Sequence, residues 1–153
     1  MTIHTLYRKH AHTIHEDATI AEVVSSLTKH NISSIIVVDS EKKITGIVSI
    51  SDIVNHIVPE EFKENAEVAE AMYKHNFFNE ACEGVASKTA RDIMRREFMI
   101  ASPDAHVMSI AADFLKNDLY IVPIVEDSKL VGVMTRTEMI SAIAKAMQLS
   151  VDK

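Results

Sequence analysis

Apolar residues recur along this chain at two periods. Ile20, Val23, Val24 and Leu27 fall at i, i+3, i+4 and i+7, which puts them on one face of a helix. Thr19 precedes that face and Glu22 follows three positions later, the spacing of a capping box. Val107, Ile110, Ala111 and Phe114 repeat the helical spacing. Ahead of them Ser102-Pro103-Asp104 supplies helix-entry signals, Pro being tolerated in a first turn. Two short continuous runs, Ile35-Ile36-Val37-Val38 and Ile121-Val122-Pro123-Ile124-Val125, read as buried strands because they are brief and β-branched. Each is followed by a polar turn (Asp39 to Lys43; Glu126 to Lys129) and a second apolar stretch, Ile44 to Val48 and Leu130 to Met134. That succession predicts a hairpin, with a further helix starting near Ser51 and near Thr137.

The two series are copies of one unit. Their offset is 87 positions from Val38 to Val125 and 86 from Gly46 to Gly132, so the second turn is one residue shorter. At the 87 offset Leu6, Arg8 and Lys9 match Ile93, Arg95 and Arg96, giving each copy a short apolar and basic lead-in. With Thr13-Ile14 as a first strand, each copy reads β-α-β-β-α. The expected class is α+β, with the copies packed by pseudo-twofold symmetry through their sheets. We expect one domain over 1–153: a first copy at about 3–58, a connector at about 59–90 and a second copy at about 91–147. The connector holds seven Glu and two Lys between Glu60 and Glu83, with Phe62, Ala66, Ala69 and Tyr73 at helical spacing, and is read as helical. Its apolar patch of Met72, Phe77 and Phe78 either packs on the body of the domain or builds a dimer or partner surface.

Composition narrows the function. Sixteen Lys and Arg against 22 Asp and Glu leave a net charge of −6, which argues against nucleic-acid binding, since that needs clustered positive charge. A small anion held by local donors stays open. Cys82 is the only cysteine, so no intrachain disulfide is possible. Met1 to His15 lacks the apolar core of a signal peptide, and no run approaches the roughly 18 apolar residues of a membrane span. A cytoplasmic protein is expected.

Ser49 and Thr135 fall where a strand ends and a helix begins, so free N–H groups and the positive end of the helix dipole face outward as an anion site. One turn later Asp52 or Glu138 can accept hydrogen bonds from a vicinal diol. Arg8, Arg95, Arg96 and Arg136 are candidates for pairing with phosphate. The same spacings, Ser49-x-x-Asp52 and Thr135-x-x-Glu138, are equally capping boxes that need no ligand. His10-x-His12-x-x-His15, with His4 nearby, suggests a transition metal, but on a strand His15 points away from the other two and no Cys accompanies them. These are read as ordinary histidines and no metal site is assigned. Cys82 has His75 seven residues upstream and no orienting third group, so no enzyme is expected. The methionines, including Met94, Met99, Met108, Met134 and Met139, are read as core packing.

Each copy resembles a CBS motif, and the two together resemble a CBS domain pair (Bateman module). The first match rests on Thr13-Ile14, the helix from Thr19, Ile35-Ile36-Val37-Val38-Asp39 and Gly46-x-x-Ser49-x-x-Asp52. The second rests on Ser102-Pro103-Asp104-Ala105, Val122-Pro123-Ile124-Val125 and Gly132-x-x-Thr135-x-x-Glu138, introduced by Arg91-Asp92-Ile93-Met94. No effector domain is expected beside them. The resemblance implies a regulatory module without a required cofactor, whose clefts bind AMP, ADP, ATP or S-adenosylmethionine. It implies that the motif Asp holds the ribose hydroxyls, that the Ser or Thr helps bind phosphate, and that early strands of the other copy line the base. One cleft would use Ser49, Ser51 and Asp52, with Ala101, Tyr120, Ile121 and Pro123 opposite. The other would use Thr135, Arg136, Thr137 and Glu138, with Thr13, Ser33 and Ile35 opposite.

Asp52 matches the family's ribose residue and is assigned that role. Glu138 departs from it: its extra methylene intrudes on the ribose space, and Glu suits the capping box, so it is read as a cap. The resemblance further implies a homodimer, two modules forming a flat disk that reports an adenine nucleotide to an effector protein. The alternative is a scaffold with empty clefts that serves only dimerisation or protein interaction. An intrinsic phosphohydrolase lacks the carboxylate cluster it would need.

Overall fold

Strands and helices follow the apolar pattern closely enough for each element to be traced to its residues. The computed structural model describes residues 1–64, 67 and 77–150. In chain order it contains β1 (Thr13–His15), α1 (Ile20–His30), β2 (Ser34–Val38), β3 (Ile44–Ser49), α2 (Ile50–Ile57) and α3 (Glu60–Lys63). After these come α4 (Phe77–Ala86), α5 (Ala90–Ile93), α6 (Val107–Asn117), β4 (Ile121–Glu126), β5 (Lys129–Thr135) and α7 (Arg136–Ala146). The chain divides into two compact units: Thr13–Arg96, and Met1–His12 together with Glu97–Lys153.

In the Thr13–Arg96 unit, β1 pairs parallel with β2 and β2 antiparallel with β3. Thr19 caps α1, its hydroxyl accepting from the Glu22 N–H at 3.2 Å, and Asn31 ends the helix in the left-handed region at φ 52°. One face of the sheet, Ile35, Val37 and Val48, meets Ile20, Val23 and Leu27 of α1, Ile53 of α2 and Val85 of α4. Burying each such side chain stabilises the fold by about 1.5–3 kcal/mol. Val24, expected on the buried face, is instead half exposed; the buried stripe is Ile20, Val23 and Leu27, and Val24 sits at its edge. Helix α4 packs on both α1 and α2, while Phe78 at its start is mostly exposed. Of the connector residues singled out in the sequence, Ala66, Ala69, Met72 and Tyr73 lie outside the described residues, as does the side chain of Phe62.

In the second unit β4 and β5 form an antiparallel pair, covered by Ile110 and Phe114 of α6 and by Ile3 and Tyr7 from the start of the chain. The expected first strand of this copy contracts to a single parallel bridge, Ala101 to Ile124. Proline accounts for the contraction. Ala101 N–H donates to Pro123 O at 3.0 Å and Val125 N–H to Ala101 O at 2.8 Å. Continuing the ladder would need N–H groups at residues 103 and 123, and both are prolines. The first copy has Glu16 where the second has Pro103, and there the bond forms, Glu16 N–H to Val38 O at 2.9 Å.

Helix entry in the second copy also differs from expectation. Ser102-Pro103-Asp104 is not the start of α6 but a turn closed by Ala105 N–H donating to Ser102 O at 3.0 Å, with Pro103 at the turn position where its fixed φ fits. The N-cap is His106, whose Nδ1 accepts from the Met108 N–H at 3.2 Å. Helices α2 and α7 begin one residue before Ser51 and Thr137. The lost residue between the copies is visible in the hairpins. Asp127 and Ser128 both have positive φ, 50° and 63°, in a two-residue turn closed by Glu126 and Lys129, the pattern of a type I′ turn. The first hairpin is longer and is held by Asp39 Oδ1, which accepts from the N–H groups of Glu41 and Lys43.

The lead-in of each copy packs on the sheet of the other. Arg8 bridges Val133 of β5, and Arg95 bridges Ile47 of β3. Glycine makes both approaches possible. A Cβ on Gly46 would lie 2.9 Å from Arg95 O and 2.6 Å from Met94 Sδ, and one on Gly132 would lie 2.2 Å from Arg8 O. Of the methionines read as core, Met94 and Met134 are buried, whereas Met99 and Met108 are exposed. That corrects the packing assignment for those two.

Candidate functional site

The two motif ends, Ser49 to Asp52 and Thr135 to Glu138, are built alike within their own units. At each, a strand stops at a hydroxyl residue in extended conformation and a helix starts on the next residue. Ser49 and Asp52 form a complete capping box. Asp52 Oδ2 accepts from the Ser49 N–H and from the Ser49 hydroxyl, both at 2.8 Å, and the Ser49 and Ser51 hydroxyls are 2.7 Å apart. The N–H of Ile50, the first helical residue, is taken by Ser33 O at 2.9 Å. Several donors expected to be free thus have partners inside the unit.

The remaining carboxylate oxygen is what distinguishes this end. Asp52 Oδ1 lies 3.8 Å from Arg95 Nη2, a loose pairing in a side chain that keeps part of its surface in solvent. One oxygen therefore caps the helix while the other faces a guanidinium, so capping and ligand binding are not exclusive at Asp52. The Arg95 lead-in is held there by its own bridge to Ile47, with Arg95 N–H donating to Ile47 O at 2.8 Å.

At the second end Glu138 Oε2 accepts from the Thr135 N–H at 3.3 Å and from the Thr135 hydroxyl, again a complete capping box. Glu138 Oε1 lies 3.3 Å from Arg8 Nε, and the Glu138 side chain is only 8% exposed. Arg8 Nε is buried and lacks the alignment of a hydrogen bond, so the contact is an ion pair without directional bonding. Both carboxylate oxygens face partners within the unit, as the cap reading of Glu138 expects. Arg136, expected to meet phosphate, stacks its guanidinium 4.1 Å over the Tyr120 ring, and Tyr120 leans on Phe114 with centroids 5.3 Å apart.

The other residues named for the two clefts are distributed as follows. Thr13 and Ser33 are exposed, and Ile35 lies in the core of the first unit. In the second unit Ile121 and Pro123 are buried, Ala101 and Tyr120 are half-buried, and Thr137 is exposed. Sequence reasoning missed that Arg8 faces Glu138 and that Arg95 faces Asp52. The signal was present as the 87-residue match of Arg8 to Arg95, but it did not show that each lead-in sits on the other copy's strand.

The histidines form no metal cluster among the described residues. The rings of His10 and His12 meet edge to face with centroids 4.9 Å apart, and His15 turns to Ser40 and Asp17. Among the described residues no helix is long and apolar enough to cross a membrane.

Comparison with known proteins places these ends in context. The family model for the CBS domain matches residues 3–59 and 90–145. An uncharacterised protein of Methanocaldococcus jannaschii is 28% identical over 141 residues, covering 85% of this chain and 84% of that protein. The CBS domain of a membrane protein from Sphaerobacter thermophilus superposes with a TM-score of 0.69 at 25% identity, covering 92% of this chain and 86% of that one. A structure of CBSX2 in complex with AMP gives a TM-score of 0.69 at 17% identity, covering 95% and 98%. Three curated enzymes also match, but the chain spans only 16% to 19% of their lengths.

Proposed function

Since this chain belongs to the CBS domain family, carrying two CBS motifs, we propose that it is a sensor of an adenine nucleotide. The ligand class is AMP or a close relative, and a homodimer passes its state to an effector protein. CBS pairs are in general regulatory modules without catalysis of their own, and a protein of the same fold is known in complex with AMP. The observation that carries the reading is the division of labour at Asp52, with Oδ2 on the Ser49 cap and Oδ1 facing Arg95. A ribose diol would donate to Oδ1, while Ser49, Ser51 and Arg95 supply hydroxyls and charge for phosphate. Glu138, with both oxygens engaged and its side chain buried, makes the other end the weaker ligand site. Binding would act by shifting the population of pre-existing arrangements toward the one with higher affinity.

The test is thermal unfolding with AMP, ADP, ATP and S-adenosylmethionine. At 100 times its dissociation constant the true ligand stabilises the fold by about 2.7 kcal/mol. If none of the four moves the melting temperature, the sensing reading fails. The complete capping boxes at both ends favour the second reading, a scaffold for protein interaction, and the same melts separate the two.

A further inference from the structure

The protons at the Asp52 end have one consistent order. Ser49 carries a single hydroxyl proton, and with Asp52 Oδ2 only 2.8 Å away that proton goes to the carboxylate. The Ser51 hydroxyl, 2.7 Å from Ser49 Oγ, is then left to donate to it. The Ser49 N–H goes to Asp52 Oδ2 and the Ile50 N–H to Ser33 O. Both hydroxyls and the first two backbone donors of this end are therefore turned inward. Arg95 differs from them. Among the described residues it is the one cationic side chain facing the Asp52 carboxylate, 3.8 Å from Oδ1, and it is 31% exposed. His56 Nδ1 meets the backbone oxygen of Asp52 at 3.0 Å, so it does not share that carboxylate. Two bonds to Ile47 fix the Arg95 backbone: its N–H donates to Ile47 O at 2.8 Å, and Ile47 N–H donates to Arg95 O at 3.0 Å. The guanidinium thus swings from an anchored base, and a pair so long and so exposed is weak enough to release it.

We propose that Arg95 sets the charge class of the ligand: this end selects an adenosine carrying one phosphate at its 5′ position, over the neutral nucleoside and over the cationic S-adenosylmethionine. The proposal rests on the nucleotide reading above and names the residue that chooses within that class. A ribose diol that donates to Oδ1 takes the carboxylate oxygen that Arg95 faces. With adenosine the guanidinium loses that partner, and the ligand offers none in return. With S-adenosylmethionine it also meets a sulfonium at the 5′ position, a like charge. A 5′-phosphate stands one ribose ring from the diol, within the swing of an arginine side chain. It restores the balance by taking the guanidinium in a charge-assisted pair, which the inward-turned hydroxyls do not supply. Second and third phosphates meet no further cation paired with Asp52 among the described residues, so they add charge without a partner.

The experiment is titration calorimetry of the full chain with AMP, ATP, adenosine and S-adenosylmethionine. The wild-type chain is expected to bind AMP at least about tenfold more tightly than adenosine, the worth of one hydrogen bond to a charged group. S-adenosylmethionine should bind more weakly than adenosine, and ATP no more tightly than AMP. Arg95→Gln keeps the backbone bonds to Ile47. It should weaken AMP by at least about tenfold while leaving adenosine within about threefold, and S-adenosylmethionine should bind no worse than before. Arg95→Lys should recover part of the preference for AMP, because it keeps the charge and loses only the planar fork. Raising the salt should shrink the wild-type preference, a readout that needs no variant. If none of the four ligands binds the wild-type chain, this proposal and the sensing reading fall together. If adenosine binds as tightly as AMP, if ATP or S-adenosylmethionine binds more tightly, or if Arg95→Gln weakens every ligand by the same factor, the Arg95 assignment falls and the sensing reading stands.

Discussion

At the scale of single residues, the motif carboxylates and glycines each serve the fold before any ligand arrives. Asp52→Ala removes the capping-box acceptor at α2 and is expected to cost about 1 kcal/mol without ligand, measured by urea unfolding. It should also abolish the ligand-dependent melting shift. A variant that loses stability yet keeps that shift would assign Asp52 to the cap alone. Glycine at positions 46 and 132 is required by close approach, not by backbone angle, since neither has a positive φ. Gly132→Ala drives a Cβ into the Arg8 carbonyl at 2.2 Å, whereas Gly46→Ala meets the flexible Met94 side chain most closely and the Arg95 carbonyl at 2.9 Å, a milder backbone clash. Both are expected to destabilise by about 1–3 kcal/mol, with Gly132→Ala the worse of the two. Equal losses, or the reverse order, would refute this account of the glycines.

Among the elements, the short helix α5 buries Ala90 and Ile93 in the core and is further fastened by acidic residues. Asp92 accepts from the Thr89 N–H at 2.9 Å and from its hydroxyl at 3.0 Å, and these bonds hold its carboxyl below the usual carboxylate range. A hydrogen bond from Arg91 at 2.7 Å likewise lowers Glu16, and the same contact raises Arg91. A carboxyl depressed in the folded state stabilises above its unfolded pKa, near 4, and that contribution is lost as pH falls through the lower folded value. Urea unfolding at a series of pH values is therefore expected to show stability declining below about pH 4. Asp92→Asn should flatten that decline; an unchanged acid slope would remove Asp92 from its cause.

The strands and long helices were legible because their periods are short-range facts of sequence. The lead strand of the second copy was not. Its length depends on whether residues 103 and 123 can donate to a neighbouring strand, which appears only once the register is known. The α6 start was misplaced for a similar reason: Ser102-Pro103-Asp104 suits a turn as well as a cap, and the choice fell to His106. Val24, Met99 and Met108 resemble core residues in the sequence because apolar character does not report which side of an element is covered. The candidate site was legible in residue type, since Ser49, Asp52, Thr135 and Glu138 do stand at helix starts, but the guanidinium facing each carboxylate was not.

For the whole molecule, the boundary between the units runs across the sequence repeat. Residues 13–96 hold β1 to β3, α1, α2, α4 and the Arg95 bridge. A fragment of those residues is expected to keep cooperative unfolding by circular dichroism. A fragment of 3–58, cut at the repeat boundary, lacks Val85, Ile93, Met94 and Arg95 and is expected to melt without cooperativity. The opposite outcome would show that the sequence repeat, and not the compact unit, is what folds.

The exchange of lead-ins also sets an order of events during synthesis. Every partner of the Thr13–Arg96 core is made by the time Arg96 leaves the ribosome, so that unit can close while the chain is still growing. The start of the chain cannot. Ile3 and Tyr7 belong to the core of the other unit, and Arg8 precedes its partner Val133 by 125 positions. Residues 3–8 are thus placed only once the β5 hairpin has emerged. The Arg8–Val133 pairing therefore waits for most of the second unit to be made, and closing so long a loop is slow.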